Sequence, residues 1–206
     1  MRKVFVSGII GMGKRTDLAE YPPAEGCDLP ECGKVYYPIT MVMEGVVEDK
    51  ENDEYVVIAV GTGTDNTSKQ MDWMEEEIRE HGFTNVEFIR IQGESGRSAE
   101  DPKDLVLKML DKFQEDDDIY VSIEFGAKPI TAAILYGIEI ADLALEDVEI
   151  KGIYYGEKDW ENVGKYYMQD ISDLYYFSQI AGEIGITDKD DLIKTVTELF
   201  SLKKRK

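Results

Sequence analysis

Tyr55, Val56, Val57, Ile58, Ala59 and Val60 follow one another without a polar interruption, and four of the six are β-branched. A strand with one wet face alternates apolar and polar residues. An unbroken apolar run of strand length has both faces covered, as in a parallel sheet packed between helices. Parallel neighbours need long crossovers, usually helical, and the rest of the chain supplies them. Val4, Phe5 and Val6 form an earlier apolar run. Val86, Phe88, Ile89 and Ile91 form a third, Ile119 to Ile123 a fourth, and residues 148–155 a fifth.

Helical periods lie between these runs. Thr67 and Gln70 make a capping-box pattern ahead of Met71, Met74 and Ile78, with Gly82 as the stop. Pro102 opens a second helix with Leu105, Val106, Met109, Leu110 and Phe113 on one stripe. A third begins near Pro129. Its positions Ile130, Ala133, Ile134, Gly137, Ile138 and Ala141 share one face, and Ala132, Leu135 and Ile140 make it apolar nearly all round. Such a helix is buried on more than one side, and a subunit interface is one way to achieve that. Residues 15–34 read as an elaborate loop, residues 165–171 as a sixth strand, and Ser172 or Asp173 as the cap of a helix to about residue 184. A last amphipathic helix carries Leu192, Ile193, Val196, Leu199 and Phe200. Alternation of this kind predicts a Rossmann-like, open, mainly parallel α/β sheet with helices on both faces.

A chain of 206 residues suffices for one well-cored domain with a short appendage, and 43% hydrophobic residues exclude the composition of a disordered chain. The apolar stretches are too short to cross a membrane. Met1 to Ser7 lead straight into a strand pattern, with no signal-peptide core, so a cytoplasmic protein is expected. The net charge of -20 argues against long nucleic acid as a partner, because such binding rests on a basic face. A polyanion must instead meet a small pocket that is locally basic or rich in backbone amides. The one basic block, Lys203, Lys204, Arg205 and Lys206, reads as a solvated helix end or as the approach to a further domain. Cys27 and Cys32 share one loop, while the single histidine, His81, lies far along the chain. A structural zinc takes four ligands, so the expectation is two free thiols, no metal and no cofactor.

In an open α/β sheet, ligands bind beyond the carboxyl ends of the strands, where the strand order reverses. The loops after the first and fourth runs are therefore the ones to inspect. The first contains Ser7, Gly8, Ile9, Gly11, Met12, Gly13, Lys14 and Arg15. Gly8, Gly13 and Lys14 fit G-x-x-x-x-G-K, but a P-loop continues with Ser or Thr to hold magnesium. Arg15 stands there instead, and residues 16–30 lack a helical pattern. A glycine-rich loop offering amides to a phosphate and a plain flexible turn both remain open. In the second loop, Ser122 and Ile123 are followed by Glu124, Phe125, Gly126, Ala127, Lys128 and Pro129. A glycine gives close backbone access and a helix begins, so free amides and the helix dipole favour an anion. Gly61 to Asn66, after the second run, offer hydroxyls from Thr62 and Thr64 and backbone amides to the same mouth, or are a turn and N-cap, which would account for Asn66 and Thr67.

The order of these features resembles the CARF domain (CRISPR-associated Rossmann fold) of type III CRISPR ancillary proteins. The likeness rests on Val4 to Gly8 with their glycine-rich loop, on Val57 to Thr62, and on Ser122 to Lys128. Ile150, Lys151, Gly152, Ile153, Tyr154, Tyr155 and Gly156, placed before Asp170 to Leu174, are similar to the branch marked by D-x-T-H-G. Ser122 and Glu124 stand where that motif has Asp and Thr, and Phe125 replaces its His. Gly126 is kept, and Lys128 matches the usual basic position. The resemblance implies a CARF-like ligand-binding domain over residues 1–184, with residues 185–206 as a helix or a linker to an effector domain. It further implies a homodimer that binds cyclic oligoadenylate, as the tetra- or hexa-adenylate, across its two-fold axis. Three readings of function follow. One is a sensor without chemistry that controls an effector in antiviral signalling. The second is a stand-alone ring nuclease, metal-independent, using the ribose 2′-hydroxyl as nucleophile, with Lys14, Arg15, Ser122 and Lys128 as candidates. The third is an unrelated P-loop-like nucleotide binder.

Overall fold

The computed structural model describes residues 2–9, 14, 17–50, 53–94, 100–123, 128–159, 162, 165–183, 193–195, 197 and 198. In chain order the elements are β1 (Arg2–Gly8), β2 (Ala19–Glu20), β3 (Lys34–Val35), α1 (Pro38–Val46), β4 (Tyr55–Thr62), α2 (Asp65–Glu80), β5 (Val86–Gly93), α3 (Asp101–Leu110), β6 (Asp117–Ser122), α4 (Lys128–Ala144), β7 (Glu149–Lys158), β8 (Tyr166–Asp170) and α5 (Ser172–Glu183). Packing divides the chain into two units, Met1–Asp170 and Ile171–Lys206. The second holds α5 and helical residues at 193–195 and 197–198.

The first unit is built on one six-stranded sheet in the order β5-β4-β1-β6-β7-β8. Five strands run parallel, and only β8 is antiparallel, against β7. This is the open, Rossmann-like α/β fold that the apolar runs predict, with β1 central and the order reversing on either side of it. Register assigns side chains to faces. Phe5 pairs with Val57 and Tyr120, and Val57 with Phe88, so these four share one face. They pack with Met41 of α1 and Met71, Met74 and Ile78 of α2. Val4, Val6, Val56, Ile58, Ile119 and Val121 take the opposite face, against which α4 packs with α3 beside it. Right-handed crossovers require this split, because the path moves outward from β1 through β4 to β5 and then returns across to β6 and β7.

Three local expectations are corrected. The cap of α2 is Thr64, whose Oγ1 accepts the Thr67 N–H at 3.2 Å, so Thr67 is an interior residue and not the first member of a capping box. Gln70 serves another purpose: its Oε1 accepts the buried Tyr37 hydroxyl at 2.8 Å. A helix absent from the sequence reading, α1, follows the first long excursion. Six consecutive residues from Pro38 to Met43 are buried in it, so it shows no polar stripe from which a period could be read. Within the supposed loop of residues 15–34, Ala19 and Glu20 pair with Val35 and Lys34 as a two-residue ribbon, too short to show alternation.

One ion pair pins the central strands together at their amino ends. Arg2 donates from Nε and Nη2 to the two oxygens of Asp117, both at 2.8 Å, and Asp117 is wholly buried. The Gln114 N–H adds a further bond to the same carboxylate at 2.8 Å. Among the described residues, no helix is long and apolar enough to cross a membrane.

Candidate functional site

The candidate site is the carboxyl edge of the sheet beside β1. Ser7 pairs with Ser122 on one side and with Ala59 on the other, so β1 and β6 end nearly level while β4 runs on to Thr62. Phe5 and Tyr120 stack across the β1–β6 pair with ring centroids 5.3 Å apart, and burial pushes the Tyr120 phenol up from its ordinary value. The strand ends from which the candidate loops leave lie side by side. Gly8, Thr62 and Ser122 thus stand at neighbouring strand ends, at the reversal of strand order where ligands bind in open α/β sheets.

Individual residues contribute differently. Ser7 and Ser122 are buried at the strand ends. The Ile9 N–H continues the ladder to the Val60 carbonyl at 2.7 Å, and its side chain joins the core, so Ile9 offers a ligand backbone only. The hydroxyls of Thr62 and Thr64 lie 3.0 and 2.9 Å from that of Thr67, which makes them parts of the α2 cap. Lys14 and Lys128 are exposed, and among the described residues no carboxylate forms an ion pair with either. Lys128 is the first residue of α4. Free N–H groups of the first helical turn and a cation there together favour an anion. Gly11, Met12, Gly13 and Arg15 of the first loop, and Glu124, Phe125, Gly126 and Ala127 of the second, lie outside the described residues.

The chain beyond the first loop bears on the P-loop pattern. The Asp17 N–H bonds the Lys14 carbonyl at 2.9 Å and the Lys14 N–H bonds Asp17 Oδ2 at 3.3 Å, closing a turn that leads into β2. A P-loop requires a helix directly after its Gly-Lys, and a dinucleotide fingerprint requires one directly after its glycines. Among the described residues the first helix is α1, from Pro38. On the flank of the turn, Asp17, Leu18, Lys34, Lys165 and Tyr166 line a concavity of about 590 Å³. Tyr166 sits against Tyr21 with ring centroids 5.2 Å apart. The sequence gives no cue to this concavity, because Lys34 and Lys165 meet only through the ribbon and β8.

No protein-family model matches the chain, and no curated protein matches it significantly.

Proposed function

We propose that the protein is a sensor of cyclic oligoadenylate of the CARF type, acting as a homodimer that receives the ligand at the carboxyl edge of its sheet. The observation that carries the reading is the placement of β1 between β4 and β6, from which the loops after Gly8 and Ser122 emerge side by side. A cyclic oligonucleotide presents several phosphates in a small space. The first turn of α4, with Lys128, and the turn that carries Lys14 offer amides and cations to such a ligand. Two-fold symmetry doubles that set, while a body of net charge -20 repels long RNA. The outer face of α4 supports a dimer: Tyr136, Ile140 and Leu143 are exposed along one stripe, 62% and 72% so for Tyr136 and Leu143.

Titration calorimetry with cyclic tetra-adenylate and cyclic hexa-adenylate tests the reading. One ring binds at micromolar protein with one ligand per two chains, and Lys128→Ala weakens it by about tenfold, the value of a charge-assisted contact. No heat from either ring overturns it. Chromatography of the same mixtures distinguishes a sensor, which returns the ring intact, from a ring nuclease, which yields linear products.

A further inference from the structure

Cys32 and His81, remote in the chain, meet in the fold. Cys32 lies just before β3, Glu44 is on α1, and His81 is the cap at the end of α2. The Sγ of Cys32, a carboxylate oxygen of Glu44 and a ring nitrogen of His81 all lie within 4.8 Å of one another, and all three residues are half-buried. We propose that Cys32, Glu44 and His81 bind one borderline-soft divalent transition-metal ion of the zinc class, with water as its fourth ligand.

Geometry and donor chemistry both support this assignment. With metal–ligand bonds of about 2.0–2.3 Å, the donor atoms of a tetrahedral site stand roughly 3.3–3.5 Å apart. His81 Nδ1 and Glu44 Oε1 are already 3.1 Å apart, so closure of the site needs only a small approach by Cys32. Thiolate, imidazole and carboxylate together favour zinc-like ions over the hard, oxygen-seeking magnesium and calcium. A thiolate and a carboxylate also balance a divalent charge. Lys50 supplies an outer layer. Its ammonium donates to Glu44 Oε2 at 2.7 Å and to the His81 carbonyl at 3.0 Å, which orients the carboxylate and leaves Oε1 with His81 Nδ1. The same three side-chain types could form a nucleophilic triad, but a reactive thiol needs an electropositive setting. Burial, with Glu44 nearby, pushes the Cys32 thiol up to about 11. A metal ion reverses that balance: the S–H bond breaks, its proton leaves to solvent, and a sulfur–metal bond forms without any change of oxidation state. The site lies where α2 ends, before β5 begins, at the opposite edge of the sheet from the ligand mouth. There it ties the excursion that carries β2 and β3 to the two helices of that face.

The full chain, freed of metal with a chelator, is titrated with cobalt(II) and then with zinc. Expected are one ion per chain, a thiolate-to-cobalt charge-transfer band with the d–d bands of four-coordination, and displacement of cobalt by zinc. A hundredfold excess of zinc over its Kd raises the Tm by about 5–10 °C. Cys32→Ser removes the charge-transfer band, Glu44→Gln and His81→Asn each weaken binding by at least about tenfold, and Cys27→Ser changes nothing. In the unmodified protein, zinc slows iodoacetamide alkylation of Cys32 and leaves that of Cys27 unaltered, a readout that does not depend on a variant folding. Absence of saturable binding by either ion overturns the proposal, as does a charge-transfer band that survives Cys32→Ser. Alkylation of Cys32 that proceeds at the same rate with and without saturating zinc also overturns it.

Discussion

Glu77, on α2, closes the first turn of a helix to which it does not belong. The cap residue of α1, Tyr37, makes no side-chain capping bond, and the Glu77 carboxylate takes that place. It accepts the Tyr36 N–H at 2.8 Å, the Tyr37 N–H at 3.0 Å and the Thr40 hydroxyl at 2.9 Å. Burial is the larger influence on it and lifts its carboxyl above the ordinary 4.5, while these bonds pull in the other direction. A folded-state value above the unfolded one means that the native protein holds the proton more tightly. The stabilisation linked to this group is therefore complete below 4.5 and is lost as the pH rises through the raised value. Glu77→Gln abolishes that titration. It also sets an amide N–H₂ against the Tyr36 N–H, at a cost of about 1–3 kcal/mol. In urea unfolding followed from about pH 4 to pH 8, the wild-type advantage over Glu77→Gln is greatest at the acid end and narrows upward. A gap that widens with pH would contradict this account. Nothing in the sequence marks Glu77 among 43 acidic residues, because its role depends on which backbone amides the fold brings to it.

At the scale of elements, strands were more legible than caps and short helices. The junction of β4 and α2 shows why. Thr67 and Gln70 have the spacing of a capping box, yet Thr64 holds the cap three residues earlier, directly after β4 ends at Thr62 and with its own N–H bonded to the Thr62 carbonyl. Gly63 sits where a Cβ would collide with the carbonyl oxygens of Gly93 and Glu94, the latter at 2.6 Å, at the end of the neighbouring strand β5. Backbone carbonyls held in place by a sheet cannot move aside as a flexible side chain can. Gly63→Ala is therefore expected to destabilise the protein by about 1–3 kcal/mol in denaturant unfolding. Thr64→Ala, which removes one cap bond, costs about 1 kcal/mol. A stability unchanged by Gly63→Ala would show that Gly63 does not pack against Gly93 and Glu94 as described. α1 escaped notice for a related reason. A helix covered on nearly every side has no alternation of apolar and polar residues, and Pro38 at its start marks a turn as readily as a helix.

For the molecule as a whole, α4 is the element whose surface asks for a partner. Its inner positions Ile130, Ala133, Ile134, Gly137, Ile138 and Ala141 are buried as the sequence predicts, while Tyr136, Ile140 and Leu143 remain exposed in one chain. Leu143→Asp is expected to convert a dimer into monomers in sedimentation velocity while shifting stability by no more than about 0.5 kcal/mol, the usual effect of a surface change. A wild-type protein that sediments as a monomer at tens of micromolar would remove the symmetric pocket from the proposed function.

Strand-forming apolar runs and the helical periods between them determined the class of fold, because burial on both faces of a parallel sheet writes a continuous apolar signature into the chain itself. The same runs determined that the loops after β1 and β6 leave from neighbouring strands, once the rule for ligand sites in such sheets is applied. The tertiary structure alone decided which side chains those loops and helices meet. It drew Ile9 into the core, turned Thr62 and Thr64 to the cap of α2, and took the chain after Lys14 into a ribbon instead of a phosphate-binding helix. It also gathered Cys32, Glu44 and His81 at one point. The physical reason is the range of the interactions. Periodicity records what each segment does with water and is local, whereas a cluster of polar side chains depends on the spatial order of segments distant in sequence, which no local pattern encodes.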